Sequence, residues 1–148
     1  MSTNKVSSIQ DGNLQVAPIT TTVSRTYSDI DCTFEASPVT GIYKKTDAAA
    51  VRQSVKNLLM TNHGELPFRP YYGGNLNDLL FSLSTDLESS DVESNVRYAI
   101  EKYEPRARIQ TIRSTIRPDY NSMDISIVFE VVNTQKVVTL NVNIARTR

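Results

Sequence analysis

Between Asp47 and Met60, Ala48, Val51, Val55, Leu58 and Leu59 recur three or four residues apart, with Arg52, Gln53 and Lys56 between them. A 3.6-residue repeat gathers the first set on one face, so the stretch predicts an amphipathic helix capped by Thr46 or Asp47. Leu76, Leu79, Leu80 and Leu83 follow the same repeat behind Asn75, a capping residue, and Phe81 widens their apolar side. So short a helix persists only when packed. A third helix has the sharpest start: Ser90-Asp91-Val92-Glu93 fits the box in which hydroxyl and carboxylate satisfy each other's backbone amides. Val92, Val96, Ala99, Ile100 and Tyr103 form its apolar stripe, and Pro105 ends it by keeping the preceding residue out of helical geometry.

Beyond Pro105 the period falls to two. Met123, Ile125, Ile127, Phe129 and Val131 alternate with Asp124, Ser126, Val128 and Glu130; after a turn near Asn133-Thr134-Gln135, Val138, Leu140, Val142 and Ile144 repeat the pattern. This predicts a hairpin with one apolar face. Arg106 to Arg117 is rich in β-branched residues, yet Ile109, Ile112 and Ile116 break strict alternation, so a strand with a bulge or an early end is expected there. The fold class is α+β: three helices packed on a small, mostly antiparallel sheet that ends in a C-terminal hairpin.

Residues 1–24 scatter single apolar residues among Ser, Thr, Asn and Gln without a helical or strand period. They are expected to form a flexible N-terminal arm, which either stays loose or orders on a partner. Residues 25–148 are expected to form one domain, large enough to bury an ordinary core without metal or disulfide support. Near its start Ile30, Cys32 and Phe34 alternate with Asp31, Thr33 and Glu35, ahead of breaks at Pro38 and Gly41. A short half-buried strand is expected, with Cys32 as a small core residue.

The first two helices are joined by a constrained stretch. Gly64 can close the first helix in a left-handed conformation; Pro67 and Pro70 hold the chain extended; Leu66, Phe68, Tyr71 and Tyr72 make it apolar; Gly73-Gly74 free the backbone before Asn75. A connector with this much hydrophobic content docks either on the core or on a partner.

Charge adds a further pattern to a chain whose formal net charge is zero. Residues 47–104 hold nine acids against five bases, and residues 105–148 seven bases against three acids. The basic residues lack interleaved stacking aromatics, so complementary packing within the chain or between neighbours is expected in preference to nucleic-acid binding. No apolar run approaches a membrane span, and the single cysteine cannot form an internal bridge; a soluble protein of a reducing compartment is expected.

Signals for chemistry are weak. A glycoside hydrolase needs two facing carboxylates, one held protonated. Glu65, Asp78, Asp86, Glu88 and Glu104 are the candidates, but each has a simpler role: Glu65 beside Arg69, Asp78 in a first helical turn, Glu104 at a helix end before Arg106. His63 is the only histidine, at a helix C-terminus that suits an imidazolium, and Gly73-Gly74 lacks the Lys-Ser/Thr of a phosphate loop. No cofactor or metal is expected.

Three segments in order carry a resemblance: Ala50 to Leu59, then Gly64-Glu65-Leu66-Pro67-Phe68-Arg69-Pro70 with its glycine step and Leu76 to Phe81, then Glu104-Pro105-Arg106, preceded by Tyr27-Ser28-Asp29-Ile30-Asp31. Over roughly Tyr27 to Ile144 the chain resembles the baseplate wedge and sheath-initiator family of contractile phage tails, which has relatives in type VI secretion baseplates. The resemblance implies a virion tail baseplate protein, assembled in the host cytoplasm, that is structural and not enzymatic. It implies partners among the baseplate wedge proteins and the tail sheath protein, with the arm reaching tube or hub-proximal proteins, and neither nucleic acid nor membrane. Glu104, Pro105 and Arg106, with Phe68, Arg69, Tyr71 and Tyr72 of the connector, are then expected at the wedge interface. Val138, Leu140, Val142 and Ile144 mark the strand expected to offer its edge to the sheath, as in the strand-exchange domain of sheath subunits. On this reading Glu104 and Arg106 project outward, and Arg106→Ala leaves thermal unfolding almost unchanged while weakening wedge assembly. The enzymatic alternative is a lysozyme-like cell-wall glycoside hydrolase of the tail.

Overall fold

The alternating C-terminal pattern becomes a three-stranded antiparallel sheet. In the computed structural model, which describes residues 26–37, 41–81 and 89–145, β5 (Ala107–Arg117), β6 (Ser122–Val131) and β7 (Lys136–Ala145) pair in the order β5-β6-β7. Ahead of them lie β1 (Ser28–Ile30) paired with β4 (Lys44–Thr46), and β2 (Ala36–Ser37) paired with β3 (Gly41–Ile42). The helices are α1 (Asp47–Met60), α2 (Leu76–Phe81) and α3 (Ser89–Tyr103). The expected N-terminal arm, Leu83, Asp86 and Glu88 lie outside the described residues.

The irregular spacing in β5 is a bulge. Ile109 pairs with Phe129 and Thr111 with Val128, so Gln110 is extra, and Ile109 and Ile112 both turn toward the helices although three residues apart. Met123, Ile125, Ile127, Phe129 and Val131 of β6 and Leu140, Val142 and Ile144 of β7 share that face. Val51, Val55, Leu58 and Leu59 of α1 and Val92, Val96 and Ile100 of α3 cover it, and Leu76 of α2 completes one core. Each such side chain contributes about 1.5–3 kcal/mol by leaving water. The opposite face is open and polar, with Arg117 paired to Asp124 at 3.1 Å. Arg108, Arg113 and Arg117 are exposed, so the basic surplus of this half is not spent against the acidic helices.

Local departures from expectation have local causes. Ala50, not Ala48, is fully buried in α1, because α3 and the sheet both press on this helix and widen its apolar arc. Thr46 makes no side-chain cap; the Asp47 amide instead donates to the Tyr27 carbonyl at 2.7 Å, tying the helix start to the strand layer. Glu93 gives its carboxylate to the Ser114 amide of β5 at 2.9 Å. The expected strand through Cys32 stops at Ile30, since Asp31 accepts the Thr33 amide at 3.0 Å and pairs with Lys45 at 2.7 Å, turning the chain. Those partners also hold the Asp31 carboxyl below its ordinary pKa, Lys45 contributing most. Ile30, Cys32 and Phe34 are exposed, so Cys32 is a surface residue and not a core one.

Candidate assembly interface

The connector of residues 61–75 is a braced loop. Gly64 is left-handed as expected (φ +82°), but α1 has already ended at Thr61, and the Gly64 amide donates to the Pro70 carbonyl at 2.8 Å to close the loop on itself. Glu65 is gripped by Asn62, through its amide and its side-chain nitrogen, both at 2.9 Å; it does not pair with Arg69 among the described residues. Asn75 turns its side chain back to the His63 amide at 3.2 Å instead of capping α2. The return leg docks on α1: the Gly74 amide donates at 3.0 Å to the Leu58 carbonyl, an acceptor that the Thr61 amide at the helix end reaches at only 3.4 Å. At Gly73 (φ +123°) a Cβ would sit 2.9 Å from the Thr61 carbonyl carbon and closer still to its oxygen, so this approach requires glycine.

The aromatic residues of this loop divide between two roles. Tyr72 tilts against Tyr103 at 5.0 Å between centroids, and the Tyr103 hydroxyl donates to the Tyr71 carbonyl at 2.6 Å, so this end is fastened to α3. Burial, and then the nearby Glu104 charge, raise the Tyr72 phenol above its ordinary pKa. Phe68 does the opposite. Its backbone is left-handed (φ +66°), a strained state for a bulky residue, and its ring is wholly exposed. Arg69, Leu66 and the Tyr71 ring are exposed beside it.

Glu104-Pro105-Arg106 lies where the fastened end of the connector meets the close of α3. Contrary to expectation, Glu104 does not project. Its side chain is 5% exposed, against 32% for Arg106, which folds back with Nε on Oε1 at 2.5 Å and Nη2 on Oε2 at 2.7 Å. The Ser54 hydroxyl of α1 donates to the same carboxylate, and the guanidinium rests 5.4 Å above the Tyr27 ring. Burial alone would raise the Glu104 pKa, but the hydrogen bonds from Arg106 and Ser54 and the Arg106 charge outweigh it and hold the carboxyl below its usual value. Pro105 is exposed and turns the chain from α3 into β5. Sequence reasoning missed Ser54 and Tyr27, whose part depends on residues about fifty and eighty positions away in the chain meeting in space.

Structure thus gathers Tyr71, Tyr72, Glu104, Pro105 and Arg106 and leaves Phe68 and Arg69 on the exposed tip, while β6 lies between Arg106 and the start of β7. On β7 the side chains of Leu140, Val142 and Ile144 are buried in the chain's own core and Val138 packs beside them. What remains open there is backbone: β7 pairs with β6 alone among the described residues. The opposite edge differs, because Glu93 of α3 occupies the Ser114 amide of β5 and the Ser114 hydroxyl donates to the Ser89 carbonyl at 2.9 Å. Pairing sites along β5 are therefore partly taken.

Two proteins of known structure share the fold. A component of the anti-feeding prophage baseplate superposes with a TM-score of 0.56 at 22% identity, over 81% of this chain and 86% of that one. A Geobacter sulfurreducens protein described as a candidate tail lysozyme superposes with a TM-score of 0.57 at 23% identity, over 66% of this chain and 89% of that one. What the chain shares with these two proteins is the fold. In sequence, the family described as baseplate wedge protein gp25 matches residues 45–136, and the chain belongs to that family. The baseplate wedge protein gp25 of Enterobacteria phage T4 is 28% identical over 109 residues, covering 74% of this chain and 80% of that protein. The chain is accordingly a structural protein of a phage-type contractile-tail baseplate.

Proposed function

We propose that the chain is a non-enzymatic wedge subunit that starts sheath polymerisation by offering the outer edge of β7 to a strand of the sheath protein. The observation that carries this reading is the asymmetry of the sheet: β7 keeps an open edge among the described residues, whereas β5 is partly capped by Glu93 and Ser89. Main-chain pairing gives such an edge affinity without requiring its side chains, which is why Val138, Leu140, Val142 and Ile144 can stay in the core. Residues 25–148 act as the working domain, and residues 1–24 as the arm that reaches a tube or hub-proximal neighbour after assembly in the host cytoplasm. A hydrolytic role finds no support in Glu104, whose lowered pKa is the reverse of what a general acid needs.

Hydrogen exchange on the full chain tests the edge. Adding the sheath protein of the same particle should slow exchange of amides in Lys136–Ala145 and leave β5 unchanged; protection confined to the connector would count against the proposal.

Other wedge subunits dock on the connector and the Arg106 surface in this reading. Phe68 is its anchor, because a strained backbone displays a ring that makes no use of the chain's own core. Phe68→Ala should shift the thermal midpoint by no more than about 2 °C. Affinity for the wedge subunits should nevertheless fall about thirtyfold or more, as measured by calorimetry. Unchanged affinity would remove Phe68 from the interface.

A further inference from the structure

Beside the open edge of β7 lies a groove of about 660 Å³, walled on one side by α1. Its apolar floor is made by Ala48, Ala49, Val138 and Leu140, and Arg52 and Lys56 stand along its rim one helical turn apart. No carboxylate lines it. Lys45, also at the rim, is already engaged by Asp31 at 2.7 Å and Gln53 at 2.8 Å. Arg52 and Lys56 are exposed and have no ion pair among the described residues.

We infer that this groove selects the strand that pairs with β7, accepting an extended segment whose helix-facing side chains include an apolar residue and an acidic one. The inference rests on the sheet-edge reading above and adds the chemistry of the occupant. Side chains alternate across a strand, so every second residue of a strand added beyond β7 points to the face that α1 covers. Those residues enter the groove. The small side chains of Ala48 and Ala49 leave room over Leu140 for an apolar group, and Arg52 and Lys56 supply positive charge for a carboxylate two residues away along the incoming strand. The chain's own residues 1–24 carry such a pair once, Ile9 and Asp11; if they were the occupant, β7 would be protected before any sheath protein is added, a result that would overturn the inference. A sheath segment with an apolar and an acidic residue two positions apart, both on its helix-facing side, fits.

The test compares the wild-type chain, Arg52→Glu with Lys56→Glu, and Arg97→Glu, an exposed position on α3, each mixed with the sheath protein at low salt. Circular dichroism confirms that all three fold. The inference predicts that the double reversal weakens binding about tenfold or more and removes the exchange protection of β7, that Arg97→Glu changes neither, and that raising salt weakens the wild type more than the double variant. Wild-type binding with β7 protection that survives the double reversal would overturn the charge selection and leave the sheet-edge reading standing. Absence of β7 protection in the wild type would overturn both.

Discussion

Gly73→Ala is expected to lower folding stability by about 3 kcal/mol or more, because two independent costs add at one position. The backbone there has φ +123°, a region open in practice only to glycine, and the new methyl would be driven into the Thr61 carbonyl group. That carbonyl is backbone at the end of α1, so it cannot swing aside as a side chain would. The Gly74 amide would lose its hold on Leu58, and Tyr72 its position against Tyr103. For a chain of this size the thermal midpoint should drop on the order of 10 °C. Gly64→Ala is the control: φ is +82° but nothing lies within 4 Å of the added carbon, so a loss of about 1 kcal/mol is expected. Equal effects at the two glycines, measured by urea unfolding, would show that the docking of the connector does not depend on close approach at Gly73.

Arg106→Ala should destabilise the fold by about 3 kcal/mol, near the lower end for breaking a buried pair because the guanidinium is partly solvated. Removal leaves the Glu104 carboxylate buried with Ser54 as its remaining side-chain donor. Adding Glu104→Gln to Arg106→Ala should recover much of the loss, since an amide carries no charge to strand. Acid provides a second check. The folded-state pKa of Glu104 is depressed below its ordinary 4.5, so its contribution is complete above about that pH and is lost as pH falls through the lowered folded value. In Arg106→Ala the carboxyl loses the guanidinium's hydrogen bonds and charge, so its pKa rises above the wild-type value and the stability gap between the wild type and the variant should narrow on acidification. A gap that stays constant from neutral pH to pH 3 or so would mean that the pair is not what Arg106 contributes. Loss of wedge assembly in this variant therefore has to be judged after correction for folding, contrary to the expectation that its stability would be untouched.

Regular periodicity made much of the architecture legible in advance. The apolar stripes of α1 and α3 and the alternation of β6 and β7 each lie within a short window, and even the bulge of β5 was visible as the three-residue step from Ile109 to Ile112. What escaped depends on contacts distant in sequence. Ile30, Cys32 and Phe34 alternate like a half-buried strand, yet Asp31 finds Lys45 and Thr33 and turns the chain, leaving all three exposed. Glu93 reads as half of a capping box, but β5 brings a free amide within reach and takes it. Glu104 and Arg106, two charges flanking a proline, read as a surface pair until α1 delivers Ser54 and the residue just ahead of β1 delivers Tyr27. The connector was expected to dock on the core or on a partner, and it divides: Tyr72 turns inward and Phe68 outward.

The central claim is that the outer edge of β7 receives a strand of the sheath, and a cryo-electron microscopy reconstruction of the first sheath ring on its baseplate tests it most directly. The account predicts an extended sheath segment lying beside Lys136–Ala145 with main-chain hydrogen bonds along it. A reconstruction in which β7 faces solvent, while the sheath contacts the chain elsewhere, would contradict it.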